Sequence, residues 1–368
     1  MHKIIILSAS TGGGHNQAAI SLAGYFKAHE AEVKIIDFLE VKGKILERIL
    51  VGSYSLMYSN LPNVYSKLYS ITNNRFSFNI SSFFVKAFES EILKIFIEEN
   101  PQLIIATHPL IVDTICKLKD KRQISAPFIS VITDFKAHKL YLNASVDAYI
   151  TASEYTRKDL IQKGINRDKI YSYGLPLKQD FLSKTRYKRK NKEFTVLVMG
   201  GSNGHSTIED VLKHILSCRN PLKVIIICGT DKKLLSKLKN SYSGITCNKK
   251  IKILGYTDKV AALMDEADLL ISKPGGLTVS EAISKNLPMF IPFMLPGQEQ
   301  ENAAFLVESG CAKVVGNIDT LHYEIDSLIE NPDLLMNMKQ KMSELYPGYS
   351  CEDIITLGAK LIEKQLIS

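Results

Sequence analysis

The chain has 368 residues, 45% hydrophobic and 23% charged, so it is too long for one ordinary core and unlike a disordered or fibrous protein. Two α/β domains of roughly 150–200 residues each fit that length, and two domains imply a cleft between them. A formal net charge of +8 attracts phosphate-rich partners, whether lipid headgroups, nucleic acid or nucleotide sugars, without selecting one. The six cysteines show neither C-x-x-C nor His-interleaved metal spacing, and no leader pattern precedes the first strand, which reads as a cytoplasmic protein with reduced thiols. Apolar runs such as 224–228 are strand-sized and too short to span a bilayer.

In chain order, short β-branched runs at 3–8, 32–38, 102–107, 128–133 and 147–151 alternate with helical patterns. That alternation predicts βαβ units and a parallel sheet. Between the second and third runs, residues 44–88 carry no convincing strand but many aromatics, among them Tyr54, Tyr58, Phe83, Phe84 and Phe88, bordered by Arg48, Lys67 and Lys86. Such a segment can lie in a bilayer interface or pack as additional core helices. The basic, aperiodic stretch 182–193 reads as a linker. Beyond it the rhythm restarts at 194–199, 223–228, 251–254, 268–271 and 288–291. The predicted domains are 1–182 and 183–368, with the C-terminal helix able to return to the first.

Three glycine turns follow predicted strands. Ser10-Thr11-Gly12-Gly13-Gly14-His15-Asn16 follows the first strand. An NAD-type G-x-G-x-x-G fingerprint would need a small residue where Gln17 stands, although Asp37 is suitably placed. His15 can serve as a base facing the cleft or simply cap its own helix. Gly200-Gly201-Ser202-Asn203-Gly204 opens the second half in the corresponding place. Lys273-Pro274-Gly275-Gly276-Leu277-Thr278 with Glu281 ends a strand and starts a helix. Free N–H groups and the positive helix end there suit a diphosphate, and Glu281 is near enough to accept from ribose hydroxyls. The competing account is an ordinary turn that uses glycine for positive φ. Pro296-Gly297-Gln298-Glu299 adds amide and carboxylate groups able to pair with sugar hydroxyls.

Together with Thr107-His108-Pro109, Thr133-Asp134-Phe135 and His138, these motifs occur in the order found in one family. Over nearly its whole length the chain resembles the monogalactosyldiacylglycerol synthase and processive diacylglycerol glucosyltransferase group of glycosyltransferase family 28. The resemblance implies a GT-B fold, in which two Rossmann-like domains with parallel sheets face a central cleft. It implies an inverting transfer, without metal or other cofactor, of glucose or galactose from a UDP-sugar to diacylglycerol. By the same resemblance His15 is the base, with Asp134 and His108 beside the acceptor and Gly13, Gly14 and His138 on the acceptor side. Gly201, Ser202, Gly276 and Thr278 would hold the phosphates, the backbone around Tyr256 the uracil, Glu281 the ribose, and Gln298 with Glu299 the sugar, with Asn203, Gly275 and Leu277 also on the donor side. The implied partners are the UDP-sugar, diacylglycerol and an anionic membrane surface, with no nucleic acid. The implied location is the inner face of the cell membrane. One departure stands out: bacterial glucosyltransferases of the group carry tryptophan where this chain has Tyr141.

Two further features bear on mechanism. No D-x-D triplet occurs to hold a divalent ion, and the position eight residues before Glu281, a glutamate in retaining enzymes of similar fold, is Lys273. Three other readings share the scaffold: the N-acetylglucosaminyltransferase of peptidoglycan lipid synthesis, a nucleotide-sugar epimerase, and a non-catalytic nucleotide-binding module.

Overall fold

The computed structural model describes the chain except for residues 1, 11–12, 43–76, 184–192, 201–204, 243–247, 347, 349 and 368. Contacts divide it into two units: Met1–Leu177 with Leu295–Gln298 and Pro347–Ser368, and Lys178–Met294 with Glu299–Tyr346. Residues 178–182, assigned by sequence to the first domain, therefore pack with the second unit. The linker expected at 182–193 lies almost wholly outside the described residues.

The first unit holds β1 (Lys3–Ser8), β2 (Glu32–Asp37), β3 (Leu103–Ala106), β4 (Phe128–Val131), β5 (Ala148–Ile150) and β6 (Ile170–Tyr171). They form a single sheet in the order β2-β1-β3-β4-β5-β6, with every neighbouring pair parallel. The chain leaves β1 for β2 on one side and returns to β3 on the other, so the switch point lies between β1 and β3. Ligands of such sheets bind outside the carboxyl ends of the strands at that point. Register places Leu7 opposite Ala106 and Ala106 opposite Ser130, which aligns the segments leaving β1, β3 and β4.

Helices α1 (Gly13–Ala28), α2 (Ser77–Glu99), α3 (Val112–Asp120) and α4 (Glu154–Gln162) link β1 to β2, β2 to β3, β3 to β4 and β5 to β6, while β4 and β5 are joined through a 3-10 turn at Lys139–Tyr141. Helix α2 buries Phe84, Phe88, Ile92 and Phe96, a four-residue repeat that puts one stripe on the core. A fully buried side chain of this size contributes about 2–3 kcal/mol. Within the aromatic segment 44–88, Phe84 and Phe88 are thus core residues, while Phe83 is 57% exposed. Tyr54, Tyr58, Arg48 and Lys67 lie outside the described residues. The C-terminal helix Cys351–Ile367 belongs to this unit. Gly358 permits its close packing, because a Cβ there would come within 2.9 Å of Leu103 and 3.5 Å of Phe26.

The second unit repeats the design with β7 (Thr195–Met199), β8 (Leu222–Ile227), β9 (Lys249–Leu254), β10 (Leu269–Ser272), β11 (Met289–Ile291) and β12 (Ala312–Val314). Its sheet runs β12-β11-β10-β7-β8-β9, again parallel throughout, with the switch point between β7 and β10. Its helices are α5 (Gln179–Leu182), α6 (His205–Leu216), α7 (Lys232–Tyr242), α8 (Val260–Glu266), α9 (Gly276–Ser284), α10 (Gln298–Glu308, whose first residue groups with the first unit), α11 (Leu321–Glu330) and α12 (Pro332–Glu344). The central strands are buried on both faces: Val196, Val198, Ile226 and Ile271 line one side, and Leu197, Ile225 and Leu270, equally buried, line the other. Burial on both faces explains why these strands read as continuous apolar runs. No described helix is long and apolar enough to cross a membrane.

Candidate active site

In the first unit the site forms where the segments after β1, β3 and β4 converge. His15 sits in the first turn of α1, and its Nδ1 lies 2.7 Å from the Thr107 carbonyl oxygen. A carbonyl can only accept, so Nδ1 carries the ring proton and Nε2 presents its lone pair. His15 therefore does not cap its own helix. That role falls to the other two histidines, each of which starts a short 3-10 turn. His108 Nδ1 accepts from the Leu110 N–H at 3.3 Å, and His138 Nδ1 accepts from the Leu140 N–H at 3.2 Å. Both of these rings consequently carry their proton on Nε2, the tautomer opposite to that of His15.

The rings of His15 and His108 meet edge to face with centroids 4.5 Å apart, and Phe38 lies 5.7 Å from His108. Burial pushes His15 down from 6.5 to about 4, opposed by its bond to the Thr107 carbonyl. Burial, and then the neighbouring His15, hold His108 well below the usual histidine range. Both imidazoles are neutral at pH 7, so His15 is available to accept a proton. Asp134, 8% exposed, accepts from Gln298 Nε2 at 3.0 Å. A Cβ at Gly13 would meet nothing among the described residues within 4 Å, and Gly14 is half-buried.

In the second unit β10 ends at Ser272, and Lys273-Pro274-Gly275 leads into α9. Gly275 has φ −64° and ψ 141°, and no described side chain caps the helix. Its backbone is one that any residue adopts, so glycine is not there for positive φ. What the missing side chain leaves is access: among the described residues, a Cβ on Gly275 would meet only Thr278 Oγ1, at 3.9 Å. The uncapped N–H groups of α9, with Gly276 buried and Leu277 and Thr278 half-buried, present the positive helix end to an anion. Glu281 stands on the same helix. Burial pushes its carboxyl up to about 8, opposed by Lys178, as expected of a carboxyl withdrawn from water.

Glu299 is buried and accepts from Lys273 Nζ at 2.8 Å, and Asn302 Nδ2 donates to the Pro274 carbonyl at 3.1 Å. These two bonds fasten α10 to the glycine turn. Gln298 and Glu299, which the resemblance pairs on the sugar, have separate partners here, Asp134 and Lys273. The Tyr256 ring, just beyond β9, is 75% exposed. Gly201, Ser202 and Asn203 lie outside the described residues. Sequence reasoning missed the Thr107 carbonyl, the Lys273–Glu299 pair, Asn302 and Lys178. Only Lys273, directly before the proline and glycines, carried a local signal.

The monogalactosyldiacylglycerol (MGDG) synthase family model matches residues 15–177, and the glycosyltransferase family 28 C-terminal domain matches residues 195–351. The chain belongs to glycosyltransferase family 28. Among similar members, a processive diacylglycerol beta-glucosyltransferase of Bacillus cereus is 27% identical over 356 residues, covering 94% of this chain and 90% of its own. Another, from Bacillus pumilus, is 27% identical over 367 residues, covering 96% of this chain and 93% of its own. The crystal structure of MurG from Acinetobacter baumannii superposes with a TM-score of 0.69 at 16% identity, over 98% of this chain and 100% of that one. That likeness establishes the shared GT-B fold of two parallel-sheet units.

Proposed function

We propose that this family 28 enzyme transfers glucose or galactose from a UDP-sugar to diacylglycerol, inverting the anomeric carbon without a metal ion. The observation that carries this reading is the His15 imidazole, neutral and held by Nδ1 so that Nε2 is the accepting atom. In the reaction the acceptor O–H gives its proton to Nε2, and the oxygen forms a bond to the sugar's C1. The bond from C1 to the β-phosphate oxygen breaks, and its electron pair leaves with UDP. The N–H groups opening α9, with Gly201, Ser202, Gly275, Gly276 and Thr278, meet the charge that builds on the diphosphate, the task a divalent ion performs in other transferases. Glu281 accepts from the ribose hydroxyls, and Gln298 and Glu299 contact the sugar. Direct displacement accords with Lys273 standing where retaining enzymes of similar fold carry glutamate.

The formal net charge of +8 and the exposed Phe83 support docking of the acceptor unit on an anionic membrane, where the lipid resides. Resemblance and charge support a peripheral location at the inner face of the membrane.

The test of the base is His15→Ala with a labelled UDP-hexose and diacylglycerol vesicles. Turnover should fall about a hundredfold or more while UDP affinity stays nearly unchanged. Turnover equal to the wild type removes His15 from the role. A chelator should leave the wild-type rate unaltered, and loss of activity on chelation would contradict the metal-free reading.

A further inference from the structure

The bond to Thr107 accounts for only one contact of His15 Nδ1. Thr133 Oγ1 lies 3.1 Å from the same nitrogen, and 3.1 Å on its other side is the phenolic oxygen of Tyr141. Thr133 leaves the end of β4 and is 6% exposed, while Tyr141 is fully buried in a 3-10 turn of the same unit. The Thr107 carbonyl requires the proton to be on Nδ1, so Thr133 Oγ1 faces an N–H and must accept from it, making a three-centre bond. One hydroxyl of the Thr133–Tyr141 pair donates to the other, and burial keeps the Tyr141 phenol protonated.

We propose that Thr133, fixed by the Tyr141 hydroxyl, is a positioning residue that aims the His15 ring and stabilises its protonated form. The inference rests on His15 being the base. Both partners of Nδ1 are uncharged, a carbonyl and a hydroxyl, in contrast to the carboxylate that supports the histidine of a Ser-His-Asp triad. Neutral partners leave the resting imidazole neutral. When Nε2 takes the acceptor's proton, the Nδ1–H becomes more acidic and both neutral acceptors strengthen their hold on it. Without Thr133 the ring has a single anchor and can rotate about its Cβ bond, which lowers the fraction of encounters in which Nε2 meets the acceptor hydroxyl.

Three variants test this: Thr133→Val, which keeps shape and loses the hydroxyl; Thr133→Ser, which keeps the hydroxyl; and Tyr141→Phe. Thr133→Val should lower kcat about tenfold, the scale of one hydrogen bond, with KM for the UDP-sugar unchanged. Thr133→Ser should restore most of the loss, and Tyr141→Phe should fall between. In protein labelled with nitrogen-15 at histidine, the His15 ring N–H, assigned by its disappearance in His15→Ala, should move upfield in Thr133→Val. Melting temperatures close to the wild type will show that each variant is folded. The inference is overturned if the His15 resonance is the same in Thr133→Val, or if Thr133→Val turns over like the wild type while His15→Ala does not. It is equally overturned if Thr133→Ser is as slow as Thr133→Val. Full turnover by His15→Ala would instead remove the base itself, a result distinguishable from each of these.

Discussion

The two units carry their chemistry at the same place in similar sheets, yet by opposite means. At the β1/β3 switch point the first unit gathers side chains that bond one another: His15 to the Thr107 carbonyl and Thr133 hydroxyl, and His108 against His15. At the β7/β10 switch point the second unit leaves main-chain donors uncapped at the start of α9, beside a desolvated Glu281. A proton acceptor must be held in one orientation and one tautomer, which takes side-chain partners. An anion needs several convergent donors and room to approach, which backbone and glycine supply. One scaffold can serve both tasks because the strand ends fix where the chain turns, whatever residues occupy the turn.

This contrast can be broken from either side. The largest effect after that of His15→Ala is expected from Gly275→Val. Its backbone angles accept the new residue, so the unit should fold, but the side chain would occupy the approach to the α9 N–H groups. UDP affinity should fall about tenfold or more in calorimetry, since several charge-assisted bonds share that approach, with the His15 ring N–H resonance unmoved. Unaltered UDP binding would place the diphosphate elsewhere.

Burial moves the two ionisable groups, His15 and Glu281, in opposite directions. His15, lowered to about 4, stays neutral in the free enzyme well below its ordinary 6.5. The acid limb of kcat/KM should therefore lie well below pH 6.5. In the complex the donor's negative diphosphate favours the imidazolium, so the acid limb of kcat should lie at higher pH than that of kcat/KM. Coincident limbs near 6.5 would show that His15 is not desolvated. The smallest effect concerns Glu281. Its folded value is raised to about 8, so the free protein favours the protonated carboxyl, and this contribution to stability is lost as pH rises from 4.5 through 8. UDP ribose hydroxyls that donate to the carboxylate would reverse that preference. Binding at pH 7 should then release a fraction of a proton, measured by calorimetry in buffers of different ionisation enthalpy, and Glu281→Gln should abolish the release. Proton uptake on binding, or release that persists in Glu281→Gln, would remove the carboxylate from the ribose.

The fold was largely legible because parallel strands buried on both faces are β-branched runs, and ten of the twelve described strands stood out, the partly exposed edge strands β2 and β9 among them. Strands β6 and β12 were missed, having two and three residues at sheet edges, too few to show a period. The glycine turns were legible as turns, but their reason was not. Only the backbone angles separate a glycine needed for positive φ from Gly275, which has ordinary φ and leaves space. His15 was visible as a candidate beside its glycines, whereas its partners were hidden by distance along the chain: Thr107 is 92 residues away and Thr133 is 118. Tyr141, noticed only as a departure from the family's tryptophan, brings a hydroxyl to Thr133. Main-chain acceptors such as the Thr107 carbonyl leave no mark on composition at all.

Glycosylation of a lipid alcohol by direct displacement inverts the anomeric carbon, and the linkage of the product records that outcome. Purified protein would be incubated with α-linked UDP-glucose or UDP-galactose and diacylglycerol vesicles, and the lipids resolved and their anomeric proton couplings measured. A β-linked hexosyl-diacylglycerol is the expected product. An α-linked glycolipid, or free UDP and sugar with no lipid product from either donor, would contradict it.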